Sequence, residues 1–272
     1  MTNPWAKFFI IFIAIVGFFT AKFLPIEPKY GVTLGIFIVA IILWISEVIP
    51  LYITSFVVVA IEAILLPNLL GVKYSVFLRP FFSPTILLFL GGFVLATGMK
   101  AYGLDRILAM SILRRVGNKP ISILFGFMFV TAFLSMWMSN TAATALMIAV
   151  ALPVIRQLKP FRKALILGVP FAANIGGMAT PIGTPPNAIA IEELKKFNIE
   201  MTFLHWMAKS LPIVIVLILL GGCVLYCLYP PKVKQLEIKV TLPAGIGWRA
   251  KFVAIILILT IGLWLTGELH GI

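Results

Sequence analysis

The 272 residues are 61% hydrophobic and 11% charged, with a mean hydropathy of +1.11. A soluble domain carries about 25% charge, so this is the sequence of an integral membrane protein. The formal charge of +13 does not point to nucleic acid as a partner. The 22 Lys and Arg residues fall in short clusters between apolar runs, the pattern of basic loops flanking spans in membrane lipid.

A span needs roughly 20 apolar residues. Such runs are expected near 8–24, 31–49, 52–70, 83–99, 163–190 and 208–229, with a seventh starting near 251. Lys7 and Phe8–Phe19 could pass for a signal peptide. No small-residue cleavage site follows and further spans do, so an uncleaved first helix is expected. The second and third spans meet at Glu47-Val48-Ile49-Pro50-Leu51, a tight turn that Glu47 is expected to cap. Val72–Phe82 reads as a loop. Pro84–Met99 holds Gly91-Gly92 and Gly98, small residues that allow close helix approach.

Between Lys100 and Lys119, Leu104, Ile107, Leu108 and Ile112 recur at helical spacing, with Arg106, Arg114 and Arg115 elsewhere on the wheel. This predicts an amphipathic helix in the membrane interface over 100–119. Next come an apolar arm, Ile121–Met138, a polar turn at Ser139-Asn140, and a second arm, Thr141–Ile155. Both flanks are basic and no loop long enough to reach water joins the arms. The segment 120–156 is therefore expected to be a re-entrant hairpin.

Arg162–Leu194 reads as one helix broken around Gly176–Pro186. Broken helices persist in lipid only where protein or a wet cavity surrounds the freed backbone groups. Two polar, nearly uncharged breaks within fifty residues point to a binding site at membrane depth. Leu211–Tyr229 then crosses back. By these spans one side collects fifteen basic residues and the other seven, so the richer side, with the N-terminus, is cytoplasmic.

Unwound carbonyls and half-helix C-terminal ends can replace the water of a cation such as Na⁺ without net charge. Ser135 lies one turn before Ser139, so their hydroxyls can share a focus, and Gly183 lets a backbone carbonyl approach closely. An anion needs the opposite pole. Asn140 is a candidate N-cap for the arm at Thr141, and Thr184 for the half-helix that opens with Pro185-Pro186. Their free N–H groups and dipole ends would favour carboxylate, sulfate or phosphate oxygens.

Alternatively, Ser-Asn-Thr in an apolar segment can be interhelical hydrogen bonding, and Gly-Gly with Pro-Pro a kink. Of the acidic residues, Glu62 falls inside a span with no evident role. His205 with Trp206 reads as interfacial, and Cys223 and Cys227, four apart, as small core residues. No nucleophile–base pair, metal spacing or nucleotide loop appears, so an enzyme is not expected.

At these motifs the chain resembles the divalent anion/sodium symporter (DASS) family. Ser139-Asn140-Thr141 looks like its SNT signature at a hairpin tip, Glu47–Leu51 like its E-x-I-P motif, and Ala172–Asn187 like its broken fifth helix. The resemblance implies an all-α integral membrane fold, the first inverted repeat of such a transporter, with re-entrant hairpin and broken helix. It implies sodium at Ser135, Ser139, Asn140 and Gly183, and substrate at Ser139, Asn140, Thr141 and Thr184.

It also implies an organisation: 1–30 a first transmembrane helix, 31–230 the first repeat, and 231–272 a cytoplasmic linker with the start of a second. Within 31–230 lie the interfacial helix 100–119, the hairpin 120–156, the broken helix 162–194 and the span 208–229. The implied function is sodium-coupled symport of divalent anions such as succinate by elevator motion, in a homodimer of the inner (plasma) membrane. The family carries a second SNT, and this chain has one, so it reads as an N-terminal half whose C-terminal half is a missing partner. An exchanger, a sulfate carrier and a non-transporting scaffold half are the alternatives.

Overall fold

The computed structural model describes residues 4–157, 161–232 and 247–270. Among them every regular element is helical: α1 (Pro4–Lys22), α2 (Pro28–Ser46), α3 (Leu51–Leu70), α4 (Ser75–Leu78), α5 (Pro84–Ala101), α6 (Leu104–Leu113), α7 (Pro120–Ser135), α8 (Asn140–Gln157), α9 (Arg162–Gly177), α10 (Pro185–Lys196), α11 (Phe203–Leu228), α12 (Trp248–Leu265) and α13 (Gly267–His270). A 3₁₀ turn at Arg79–Phe82 follows α4, so part of the loop expected over Val72–Phe82 is helical.

Among the described residues six helices are long and apolar enough to cross a membrane: α1, α2, α3, α5, α11 and α12. The protein is a multi-pass membrane protein. Proline opens α2, α5, α7 and α10 at the first turn, where its missing N–H is no loss. Of the segment expected at 231–272 as linker and start of a second repeat, 233–246 fall outside the described residues, as do Lys159, Lys234 and Lys239 of the basic clusters.

The chain divides into two compact units, Met1–Ile86 and Leu87–Ile272. In the first, α2 is gripped on both sides. Val32, Ile36 and Ala40 meet Val58 and Leu66 of α3, while Val39 and Leu43 pack with Ala14 of α1. A Cβ at Gly35 would collide with the Phe18 ring and carbonyl, so α1 and α2 approach backbone to side chain at that point. Glu47 ends α2 at φ 47°, ψ 29°. It caps the turn, as expected, from a left-handed conformation that costs a non-glycine residue about 1–2 kcal/mol.

The second unit is built on α7 and α9. Ile123, Leu124, Phe127, Met128, Val130 and Leu134 of α7 are fully buried against a face of α9 made of Ala164, Leu165, Val169 and Ala172. A Cβ at Gly176 would enter the Ala132 backbone, so the two main chains touch. Lipid tails are as apolar as leucine, and contact of this kind supplies the packing that association in a bilayer requires.

The helix expected over 100–119 is shorter, and its buried face is shifted. Leu104 packs with Met99 and Leu257, while Ala109 and Leu113 enter the core beside α7. Ile112, expected on the apolar face, is exposed. Two neighbours on different sides of α6 widen its buried stripe beyond the simple i, i+3, i+4 pattern. Cys223 and Cys227 are likewise exposed rather than core residues. α11 buries Val214, Ile218, Gly222 and Leu225, which leaves both cysteines on the opposite side.

Candidate functional site

The site forms where the α7–α8 turn meets the break between α9 and α10. α7 has 16 residues, about 24 Å at 1.5 Å per residue, against a hydrocarbon core of about 30 Å. α8 follows it over Asn140–Gln157. Its 18 residues from Asn140 to Gln157 exceed the expected arm, and the added length is polar at both ends.

Three side chains form a directed row across the junction. The buried Ser135 hydroxyl donates to Asn140 Oδ1 at 2.7 Å, and Asn140 Nδ2 donates to Asn174 Oδ1 at 3.1 Å. Asn140 lies flat on α9, because Gly177 has no Cβ to strike its amide. A Cβ at Gly183 would in turn strike the Gly177 carbonyl. Two glycines therefore bring Ser135, Asn140 and Gly183 to one focus.

The break itself is held by side chains that spacing alone does not single out. Asn187 Nδ2 donates to the carbonyls of Gly177 and Thr180, at 2.9 and 2.8 Å. The Thr180 hydroxyl donates to the Met136 carbonyl at 2.6 Å, tying the break to the hairpin turn. Trp206 Nε1, expected only at the membrane interface, donates to the Met178 carbonyl at 2.9 Å. The Gly177, Met178 and Thr180 carbonyls lie where α9 ends and the Met136 carbonyl where α7 ends; left unpaired in an apolar setting such a group costs several kcal/mol. The signal available in sequence was composition: a polar, apparently surplus Asn174, Thr180 and Asn187 within an otherwise small and apolar run.

The caps differ from expectation. Ser139, not Asn140, caps α8: its Oγ accepts from the Ala142 N–H at 3.3 Å, and Asn140 is the first helical residue. The N–H groups of Asn140 and Thr141 then have no intrahelical acceptor. Thr184 occupies the position before α10 but makes no side-chain cap bond. Pro185 and Pro186 carry no N–H, and the Asn187 N–H donates to the Thr184 carbonyl at 3.1 Å. The α10 end thus offers a dipole and one hydroxyl rather than the free N–H groups expected of it, and α8 is the richer anion pole.

An open groove of about 360 Å³ runs from this tip between α8 and α9, lined by Asn140, Thr141, Thr144, Ala145, Pro170 and Asn174. Asn140 and Thr141 line it as expected. Ser139 sits beside it as the cap, and Thr184 and Gly183 belong to the facing break. None of these residues is ionisable, and no cluster of His, Cys, Asp or Glu suited to a metal occurs among the described residues. Hydroxyl, amide and carbonyl oxygens are what a monovalent hard cation takes at a broken helix.

The model of the citrate transporter family matches residues 41–271. An uncharacterized transporter of Haemophilus influenzae is 39% identical over 231 residues, 82% of this chain and 48% of that protein. The sodium-dependent dicarboxylate transporter SdcS of Staphylococcus aureus strain RF122 is 33% identical over 289 aligned positions, 95% of this chain and 53% of that one. The same-named protein of strain USA300 is 32% identical with the same coverage. The chain spans about half the length of these relatives. It belongs to the citrate transporter family, a DASS-like family of membrane transporters and not of enzymes.

Proposed function

We propose that this chain supplies the first repeat of a sodium-coupled symporter for small divalent anions, C4-dicarboxylates such as succinate above all. The observation that carries the reading is the uncharged row Ser135–Asn140–Asn174, set between the hairpin tip and the break. Sodium would take the oxygens of Ser135, Ser139, Asn140 and the Gly183 backbone. The dianion would take the N–H groups of Asn140 and Thr141 with the hydroxyls of Ser139, Thr141 and Thr184. A helix N-terminus carries only about half a positive charge, so a sodium ion beside it would supply charge the dianion needs and make anion binding depend on the ion. The printed name of SdcS, sodium-dependent and dicarboxylate, supports the same pairing.

The short α7 supports a re-entrant hairpin at 120–156. The reading further takes 1–30 as a first membrane helix, 31–230 as the repeat and 231–272 as a linker leading to a second. The basic clusters favour a cytoplasmic N-terminus in the inner (plasma) membrane. A C-terminal half as partner, a homodimer and elevator motion complete the proposal on family resemblance.

The test is uptake of labelled succinate by the intact carrier in proteoliposomes. Uptake that requires an inward sodium gradient and is competed by other C4-dicarboxylates is expected. Uptake of sulfate in preference to succinate favours a sulfate carrier, sodium-independent counterflow an exchanger, and absence of both binding and uptake a scaffold.

A further inference from the structure

We propose that Asn174 is a positioning and specificity-determining residue that relays sodium occupancy to the anion groove. The inference rests on the sodium reading above and adds a residue and a coupling route to it.

The hydrogen bonds from Ser135 to Asn174 all point the same way. Ser135 O–H donates to the Asn140 oxygen, and the Asn140 N–H donates to the Asn174 oxygen. The last donor in the row is the Asn174 Nδ2 amino group. Asn174 is exposed on α9, lines the groove beside Asn140, Thr141 and Pro170, and gives that amino group no protein acceptor among the described residues. The free end of the row therefore belongs to the groove.

An amide in this position does two things. As an acceptor, Asn174 fixes the orientation of Asn140. With Nδ2 committed to Asn174, the Asn140 oxygen faces Ser135, the side on which the cation would sit. As a donor, Asn174 offers an N–H to a carboxylate oxygen in the groove, one turn of α9 beyond Pro170.

The two roles are linked by polarisation. A cation on Asn140 Oδ1 draws electron density through that amide and makes its N–H a stronger donor. The Asn174 amide is polarised in turn, and its amino group becomes a stronger donor to the dianion. Chains of this kind strengthen by roughly 10–30% per bond. Gly177 is what permits the alignment, since a Cβ there would push the Asn140 amide out of the row.

Two substitutions at Asn174 separate the roles. Asn174→Asp keeps the acceptor that orients Asn140 but removes the donor and places a negative charge on the groove. Asn174→Leu removes both. Sodium affinity is measured by calorimetry on the substrate-free intact carrier, and succinate affinity at saturating sodium, with Ser135→Ala as control. Asn174→Leu is expected to weaken sodium about tenfold and Asn174→Asp to leave it within threefold, while both weaken succinate about tenfold or more, the scale of one lost bond to a charged group.

Equal sodium loss in Asp and Leu variants overturns the positioning role. Unaltered succinate affinity in both overturns the donor role. If Ser135→Ala weakens sodium while both Asn174 variants bind like the parent, the relay fails and the sodium site stands. If Ser135→Ala also binds sodium normally, the sodium reading itself falls and takes the relay with it.

Discussion

Asn187 offers the sharpest test of how the broken helix is kept open. Its side-chain amino group holds two buried carbonyls at once, Gly177 at 2.9 Å and Thr180 at 2.8 Å, and the residue is only 6% exposed. Asn187→Leu keeps the volume and removes both donors. The Thr180 carbonyl keeps the Gly183 N–H at 3.2 Å, but the Gly177 carbonyl is left buried without a partner at about 1–3 kcal/mol, so a loss of roughly that size is expected. In Asn187→Asp a carboxylate would face two carbonyl oxygens, and that variant should be the less stable of the two.

The assay is thermal unfolding of the intact carrier in detergent, with hydrogen exchange of 178–184 as the local readout. At about 2–4 °C per kcal/mol for a domain of this size, the Leu variant should melt at least about 2 °C below the parent. Exchange should rise in the break before it rises in α7. A parental melting point and parental exchange in the Asp variant would show that the Asn187 amide does not hold these carbonyls.

Gly176→Ala places a methyl group on the Ala132 backbone. An overpacked core costs about 1–3 kcal/mol, and main chain yields less than a side chain, so a melting point lowered by several degrees is expected. Ser139→Ala removes the α8 cap, worth about 0.5–2 kcal/mol, and Ser139→Asn should restore stability; equal melting points for the Ala variant and parent would refute the cap. For topology, single cysteines at Lys119 and Arg162 should label only from the cytoplasmic side, in a background lacking Cys223 and Cys227. Labelling of the two from opposite faces would remove the hairpin.

The spans were legible because a bilayer tolerates little besides continuous apolar helix, and such runs are bounded by charge or proline. Six of the seven expected spans therefore reappear among the described residues as α1, α2, α3, α5, α11 and α12, and the run expected at 163–190 appears as two shorter helices, α9 and α10. Ser135 and Asn140 were legible because a hydroxyl and an amide are costly inside lipid without a partner, and Gly183 because it falls in a polar break of an apolar run.

What was not legible depends on pairing between distant residues. Asn140 meets Asn174, Thr180 meets Met136, and Trp206 meets Met178, each across a separation that no helical period encodes. The cap was misplaced by one residue for a local reason. Asn and Ser are about equally good caps, and the choice fell to Ser139 because Asn140's amide is engaged with Ser135 and Asn174. At Thr184 the proline pair that marks the helix start also strips it of the donors an anion would use.

Asn140 serves cation and anion together, its side-chain oxygen toward Ser135 and its backbone N–H at the α8 tip. The most direct measurement is the pair of dissociation constants, sodium alone and succinate at fixed sodium, for Asn140→Ala in the intact carrier. Sodium should weaken by roughly ten- to a hundredfold for the loss of a bond to a charged group, and succinate should weaken with it, because the variant keeps its backbone N–H but loses the cation beside it. A folded Asn140→Ala carrier that keeps the parental sodium requirement while losing only succinate would contradict it.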